Sequence, residues 1–223
     1  MHLTKARIAI ALVLVLTFAV SVLAWPIMPD PMVSHWGFTG EADGYMPKVW
    51  GLFLVPLLSA GLALLLLFIP RIDPLKANIA EFRGAYDRFI IVFLLYLLYL
   101  QAFIILWNTG IRITVGQALS PAFAALFYEV GVLVGQAKPN WSIGIRTPWT
   151  LSSERVWEKT HTLGGKLFRV AGVTALLGII FPALAVLFIL VPVLGISLWL
   201  VVYSYLEYAK EEQESGRGTS IRT

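Results

Sequence analysis

Residues 170–206 read VAGVTALLGIIFPALAVLFILVPVLGISLWLVVYSYL and contain no Asp, Glu, Lys, Arg or His. As one helix this run would be about 55 Å long, whereas the apolar core of a bilayer is about 30 Å thick. Pro182 and Pro192 lie inside the run, and proline is well tolerated only in the first turn of a helix. We therefore expect two membrane-spanning helices that are joined by a tight turn near Phe181–Leu184.

Four further apolar runs precede this one along the chain. Each approaches or exceeds the ~20 residues that a spanning helix needs, and Glu129 is the only charged side chain inside them. The runs cover residues 8–29, 49–70, 89–111 and 113–137. Together with the C-terminal pair they predict an all-α integral membrane protein with six transmembrane helices.

The composition excludes the other broad classes. Of the 223 residues, 58% are hydrophobic and 13% are charged, against roughly 45–50% and 25% in soluble domains. So few charges cannot cover the surface of a soluble domain. The lack of cysteine excludes disulfides, iron–sulfur clusters, thiolate zinc sites and cysteine nucleophiles. The net charge of +4 does not indicate direct nucleic-acid binding, because basic residues in a membrane protein mark its cytoplasmic side.

The basic residues lie at alternate ends of the predicted spans. The N-terminus, the loops after spans two and four, and the C-terminus carry all lysines and arginines except Lys48 and Arg112. This bias predicts a plasma-membrane protein with both termini cytoplasmic. The small residues at 22–24 also resemble a signal-peptide cleavage site. We expect a retained first span, because its apolar run is longer than that of a usual signal peptide.

The chain divides into four predicted regions. These are a two-span region with an outer loop (1–70), spans three and four with a cytoplasmic connector (71–137), a long loop with a two-span hairpin (138–210) and a flexible tail (211–223). In the connector, Ile79, Phe82 and Tyr86 share one face at helical spacing. This pattern predicts a short amphipathic helix on the inner leaflet.

The outer loop, PIMPDPMVSHWGFTGEADGYMPK, covers residues 26–48. Its prolines exclude a regular helix at its start, and Asp43–Gly44 is typical of a tight turn. The spacing of its acidic and histidine residues fits no EF-hand or zinc motif, so an ordered lid is favoured over a metal site. We expect this lid to form a recognition surface. Its residues, hereafter the outer-loop residues, are His35, Trp36, Gly40, Asp43, Gly44 and Lys48.

The loop after span four, hereafter loop four, begins KPNWSIGIRTPWT at residue 138. Trp141 and Trp149 bracket Arg146, an arrangement in which arginine stacks on aromatic rings or binds an anion. Ser152 is the expected N-cap of a short amphipathic interfacial helix before span five. Gly164–Gly165 would bend this helix where it enters the bilayer.

Two polar side chains lie within the predicted spans. A carboxylate in the membrane, here Glu129, is a functional hypothesis by default, and Gln101 or Asn108 is its expected partner. A structural hydrogen bond between helices is the competing interpretation. Gly131 and Gly135 form a GxxxG pair that lets helices approach closely, and we expect this packing within one chain.

Residues 140–168, NWSIGIRTPWTLSSERVWEKTHTLGGKLF, resemble the signature of the SdpI immunity-protein family. The outer loop and its flanking spans are similar to the domain of unknown function that commonly precedes that signature. The resemblance implies immunity to a membrane-active toxin peptide, and signalling through membrane recruitment of a transcriptional repressor. It places function on the signature residues Asn140, Gly144, Arg146, Thr147, Pro148, Trp149, Trp157, Thr160, His161, Gly164, Gly165 and Lys166.

Two other functions remain as alternatives. A small transporter or channel would use Glu129, with Gln101 and Arg146 along its path. A membrane enzyme acting on lipid headgroups would use His161, Arg146 and Asp43, but these are predicted on opposite faces of the membrane. Since no HExxH, P-loop or GxSxG motif is present, we predict no catalytic residue, metal or cofactor. The expected partners are the lipid bilayer, a hydrophobic toxin peptide and a cytoplasmic repressor.

Overall fold

The computed structural model describes residues 3–37 and 40–220, and these fold into long helices with one small β-hairpin. Six helical segments are long and apolar enough to cross a membrane, which confirms the predicted number of spans. The helices are α1 (Leu3–Ala24), α2 (Lys48–Ile72), α3 (Lys76–Glu81), α4 (Arg83–Asn108), α5 (Val115–Gln136), α6 (Pro148–Ser152), α7 (Glu154–Ala175), α8 (Leu177–Ile180) and α9 (Ala185–Ser220). The chain is therefore a multi-pass α-helical membrane protein.

The C-terminal apolar run forms two helices, as predicted. Helix α8 ends at Ile180, a short 3₁₀ turn covers Pro182–Leu184, and α9 begins at Ala185. Pro182 is the first residue of that turn, where its missing N–H costs nothing. Helix α9 continues to Ser220, so residues 211–220 of the predicted tail are helical, and residues 221–223 lie outside the described part.

The six spans pack as two groups of three. Helices α1, α2 and α4 share a core that includes Ile10, Ala63 and Leu94, while α5 packs mainly on α7, which also contacts α9. A Cβ added to Gly165 of α7 would lie 2.7 Å from the Gly135 Cα and 2.9 Å from the Gly131 carbonyl oxygen. The GxxxG pair therefore brings α5 and α7 into backbone contact within one chain, as predicted. Helix α4 joins the two groups through its contact with α5.

The outer loop forms a β-hairpin of strands β1 (Met32–Trp36) and β2 (Ala42–Met46). The predicted turn at Asp43–Gly44 is wrong, because both residues lie inside β2. At the connected ends of the two strands, the Gly37 N–H donates to the Glu41 carbonyl at 3.0 Å. Gly40, just before Glu41, has a positive φ of 81°, which glycine adopts without strain.

The hairpin is fastened to the end of α4. The Asn108 side chain accepts the Val33 N–H at 2.8 Å and donates to the Val33 carbonyl at 3.0 Å, so it pairs with β1 as a neighbouring strand would. The Trp36 ring packs on the rings of Phe103 and Trp107. These contacts fix the hairpin at one end of the bundle, hereafter the hairpin end. Loop four lies at the other end, beside the start of α4.

Two predicted amphipathic segments are helical but pack differently from the prediction. In the connector, α3 and the residues after it bury Ile79, Phe82 and Tyr86 in the core, so their apolar face contacts protein and not the leaflet. The segment before span five continues without a break into that span as α7. Its N-cap is Ser153, whose hydroxyl accepts the Val156 N–H, one residue later than predicted.

Candidate functional site

Loop four is organised around the buried side chain of Asn140. The Oδ1 atom accepts the N–H groups of Ser142 and Ile143 at 2.9 and 2.6 Å. The Nδ2 atom donates to the carbonyls of Lys138 and Ile143 at 2.8 and 2.9 Å. These four bonds satisfy the full capacity of the amide, so Asn140 holds the loop in one backbone conformation.

The connector between α2 and α4 is bonded to loop four by two polar side chains. Asp73 accepts the Trp141 N–H at 3.1 Å and the Ser142 hydroxyl at 2.5 Å, and the Asn78 side chain donates to the Pro139 carbonyl at 2.7 Å. The sequence analysis missed both residues. The Asp–Pro pair at 73–74 is a turn signal, but nothing local shows that its carboxylate reaches a segment almost seventy residues away.

His161 is a buried support for the loop. Its Nε2 atom accepts the Ile145 N–H at 3.0 Å, and its Nδ1 atom lies 2.8 Å from the Trp157 carbonyl. A carbonyl oxygen only accepts hydrogen bonds, so Nδ1 must carry a proton, whereas Nε2 accepts the Ile145 N–H and carries none. The ring is therefore the neutral tautomer with its proton on Nδ1. The ring also stacks on Trp157, with centroids 3.9 Å apart. Because both nitrogens are engaged, the geometry does not support His161 as a catalytic base.

Gly144 lies against the Nε2 edge of that imidazole. Its φ is +113°, and a Cβ at this position would lie 2.4 Å from the His161 Nε2 atom. Both the backbone conformation and the close approach therefore require glycine. On the other side of the ring, the Trp157 indole N–H donates to the Ala137 carbonyl at 2.8 Å. The signature residues thus form a stack that connects the end of α5, loop four and α7.

Thr147 connects loop four to α9. Its hydroxyl caps α6 by accepting the Thr150 N–H, and it lies 3.0 Å from the Ser204 hydroxyl. Pro148 follows as the first residue of α6, where proline is preferred. The Trp149 ring packs on Tyr205 of α9, with centroids 5.2 Å apart.

Arg146 is exposed, and one of its guanidinium N–H groups donates to the Trp141 carbonyl at 2.7 Å. The predicted bracket of two indoles around this guanidinium is wrong, because the Trp149 ring packs on Tyr205 instead. Lys166 is exposed as well. These side chains differ from most other signature residues, which are buried and hold the loop.

Charged pairs fasten the start of α7 to the end of α9. Glu207 binds Lys159 at 2.6 Å and Lys210 at 2.7 Å, and Arg155 pairs with Glu214. The Ser153 hydroxyl donates to Glu211 at 2.5 Å. The sequence analysis did not single out these carboxylates, although their spacing of three or four residues places them on one face of a helix.

The intramembrane polar residues do not meet. Glu129 pairs with Arg88 at 2.7 Å, whereas Gln101 donates to the Ser21 hydroxyl at 3.1 Å and the Leu52 carbonyl at 3.0 Å. The predicted pairing of Glu129 with Gln101 or Asn108 is therefore wrong. Glu129 lies near the end of α5, which is opposite the start of α4, and Gln101 lies about 20 Å further along α4. The structure thus offers no polar path through these side chains.

The outer-loop residues form a separate group at the hairpin end. His35 and Asp43 are an exposed pair with Nδ1 and Oδ1 2.6 Å apart, and the Lys48 ammonium lies 5.0 Å from the centre of the Trp25 ring. Gly44 lies opposite His35, where a Cβ would approach the His35 Cβ to 2.7 Å. The length of α4, about 39 Å, separates Asp43 from His161, so the residues of the enzyme hypothesis do not share a site. Within residues 3–37 and 40–220, no group of three or more His, Asp or Glu side chains is arranged to hold a metal ion.

Comparison with known proteins finds a match at each of the two ends of the bundle. Residues 136–205, which contain loop four and most of the last two spans, match the SdpI/YfhL protein family. Residues 12–60, which contain the hairpin, match the domain of unknown function DUF1648. The chain is 25% identical over 207 residues to the immunity protein SdpI of Bacillus subtilis strain 168, covering 92% of this chain and 97% of that protein. No solved structure matches the chain. This membrane protein therefore resembles the SdpI/YfhL family in loop four and the last two spans, and its likeness to the Bacillus subtilis protein extends along 92% of the chain.

Proposed function

We propose that this chain protects the cell that makes it against a membrane-active toxin peptide. The observation that carries the proposal is the likeness to a protein named as an immunity protein over 92% of the chain. A shared short motif would support only a shared loop. Likeness across both the hairpin and loop four supports a shared arrangement of the two ends.

The buried and the exposed residues of loop four suit different roles in this protection. Asn140, His161 and Thr147 are buried and hold loop four rigid, while Trp141 and Arg146 are exposed on its surface. We assign toxin response at this end to the exposed signature residues, and we assign the first recognition of the peptide to the outer-loop residues. A rigid loop presents its exposed groups without the entropy cost of ordering them on binding.

Survival under toxin tests this proposal. In Bacillus subtilis cells that lack their own SdpI, expression of this chain is expected to restore growth in the presence of the killing peptide that the parent strain secretes. Arg146→Gln removes the exposed charge, so binding of the peptide is expected to weaken about tenfold, which is roughly 1.4 kcal/mol, and survival is expected to fall with it. The measurement is the count of colonies after exposure, at equal amounts of protein in the membrane.

Arg112→Gln is the matched control. Arg112 also donates to the carbonyl of the tryptophan five residues before it, Trp107, but it lies at the hairpin end and outside both residue sets. Cells that express this variant are expected to survive as well as cells that express the unchanged chain. Equal killing of cells with and without the chain would contradict the immunity proposal, and an equal loss in both variants would contradict the role of Arg146.

The proposal also includes a relay to a cytoplasmic repressor, in a protein of the plasma membrane with both termini in the cytoplasm. A polar cleft of about 580 Å³ beside loop four supports it, because the cleft offers Glu81, Lys138, Glu154 and Glu158 to a soluble partner.

Cysteine labelling tests the orientation that this relay requires, since the chain has no cysteine of its own. Lys138→Cys is expected to react with a membrane-impermeant maleimide only after the cells are opened, and Glu41→Cys, in the hairpin, is expected to react in intact cells. Both native side chains are exposed. Labelling of Lys138→Cys in intact cells would exclude a relay from this end.

A further inference from the structure

A cavity of about 490 Å³ lies between the two groups of helices, directly beneath loop four. Its walls are mainly apolar and come from every span except the first, with Ile69, Phe89, Val130, Phe168 and Val201 among the lining residues. Residues 142–147 of loop four form one end of the cavity. The apolar side chains from the spans form the rest, and they take no part in the hydrogen bonds that hold the loop.

The cavity extends from loop four into the membrane-spanning part of the protein. Ser204 marks the level of loop four on α9, because its hydroxyl lies 3.0 Å from that of Thr147. Ser197 lines the cavity and lies two helical turns earlier, about 10 Å deeper along α9. Ser197 and Val201 are both exposed on the surface of the bundle, so the cavity opens sideways toward lipid.

A single positive charge lies at the mouth of this cavity. Arg146 lines it, and no Asp, Glu or second basic residue among the described residues does so. A guanidinium has five N–H donors, of which one is bound to the Trp141 carbonyl. Trp141, whose carbonyl accepts that bond, is exposed, and Trp149 of the same loop packs on Tyr205 of α9. Because tryptophan and tyrosine favour the headgroup layer, we place the guanidinium at headgroup depth.

We propose that this cavity binds one anionic phospholipid, with its phosphate on Arg146 and an acyl chain between α2, α4 and α9. Guanidinium pairs with phosphate through two parallel hydrogen bonds, and the apolar walls below match a hydrocarbon chain. A zwitterionic lipid would also bring its own ammonium group close to Arg146, so an anionic headgroup is preferred. The inference does not depend on the proposed immunity function.

Native mass spectrometry of the purified, delipidated protein tests the charge at the mouth. Phosphatidylglycerol is expected to bind more tightly than phosphatidylcholine with the same acyl chains. Arg146→Gln should weaken phosphatidylglycerol binding about tenfold and phosphatidylcholine binding by less, so that the preference for phosphatidylglycerol narrows. Lys166→Gln is the control, because Lys166 is exposed on α7 but does not line the cavity. Unchanged phosphatidylglycerol binding in Arg146→Gln, or an equal loss in Lys166→Gln, would overturn the proposal.

A second pair of variants tests the apolar part of the site. Ser197→Phe fills the cavity from its side opening and should weaken binding of both lipids, whereas Leu198→Phe adds a ring at a neighbouring exposed position outside the cavity and should not. Equal lipid binding in these two variants would overturn the placement of the acyl chain. Displacement of phosphatidylglycerol by inorganic phosphate alone would show a simple anion site and would also contradict the proposal. Since no toxin is present, these results are independent of the survival assay.

Discussion

Gly144→Ala is expected to lower the apparent melting temperature of the purified protein by about 10 °C, using the usual relation for chains of this size. Two costs add up to about 3 kcal/mol. A residue with a Cβ at φ +113° pays roughly 1–2 kcal/mol of backbone strain. The new methyl group would also lie 2.4 Å from the His161 Nε2 atom, so the imidazole must move and leave the buried Ile145 N–H without its acceptor, at roughly 1–3 kcal/mol.

Gly110→Ala separates these two costs. Gly110 also has a positive φ, +97°, but a Cβ there would meet nothing within 4 Å. This variant should lose stability through the backbone strain alone, which is about half of the loss in Gly144→Ala. Both variants are to be heated in detergent and assayed for the fraction that remains monodisperse by size-exclusion chromatography. Equal melting temperatures for the two variants would contradict the role given to the imidazole contact.

Gly165→Ala is expected to destabilise the protein by roughly 1–3 kcal/mol, which is the usual cost of overpacking a close contact. The added Cβ would lie 2.7 Å from the Gly135 Cα and 2.9 Å from the Gly131 carbonyl oxygen. A backbone atom cannot rotate away as a side chain does, so α5 and α7 must separate along their contact. The measurement is the same detergent melting assay.

Gly61→Ala, in α2, is the control for helix propensity. A Cβ there would meet nothing within 4 Å, and replacing glycine by alanine inside a helix usually stabilises it by about 0.5–1 kcal/mol. The expected order of stability is thus Gly61→Ala, then the unchanged chain, then Gly165→Ala. A Gly165→Ala protein as stable as the unchanged chain would show that α5 and α7 can relax at no cost.

The spans could be predicted because the signal for them is local. About twenty consecutive apolar residues suffice to indicate a membrane helix, and the length of the last run indicates that it divides. Pro182 lies at the division, whereas Pro192 lies inside α9. The hairpin could not be predicted in the same way, since its strands are five residues long and one of them contains Asp43 and Gly44, which are poor strand formers. The hairpin is stabilised by its hydrogen bonds to Asn108, which lies 75 residues from Val33 in the sequence, and not by the strand preference of its own residues.

The site was predicted as a set of residues but not as a set of contacts. The family resemblance singled out Asn140 and His161. Asn140 lies at the centre of loop four, and His161 contacts the loop from α7. Their acceptors and donors, and the roles of Asp73 and Ser204, depend on which helices are neighbours. The partner of Glu129 was mistaken for the same reason: the antiparallel arrangement of α4 and α5 brings Arg88 next to it.

Loop four is bonded to both groups of helices at once, through Asp73 on one side and Ser204 on the other. This has a consequence for engineered chimeras of two relatives joined between α4 and α5. Such a hybrid would combine a foreign connector with a native loop, so the Trp141 N–H would lose its acceptor wherever the foreign connector lacks a carboxylate at position 73. Recombination between distant relatives is therefore tolerated only where the connector is exchanged together with the loop that it supports.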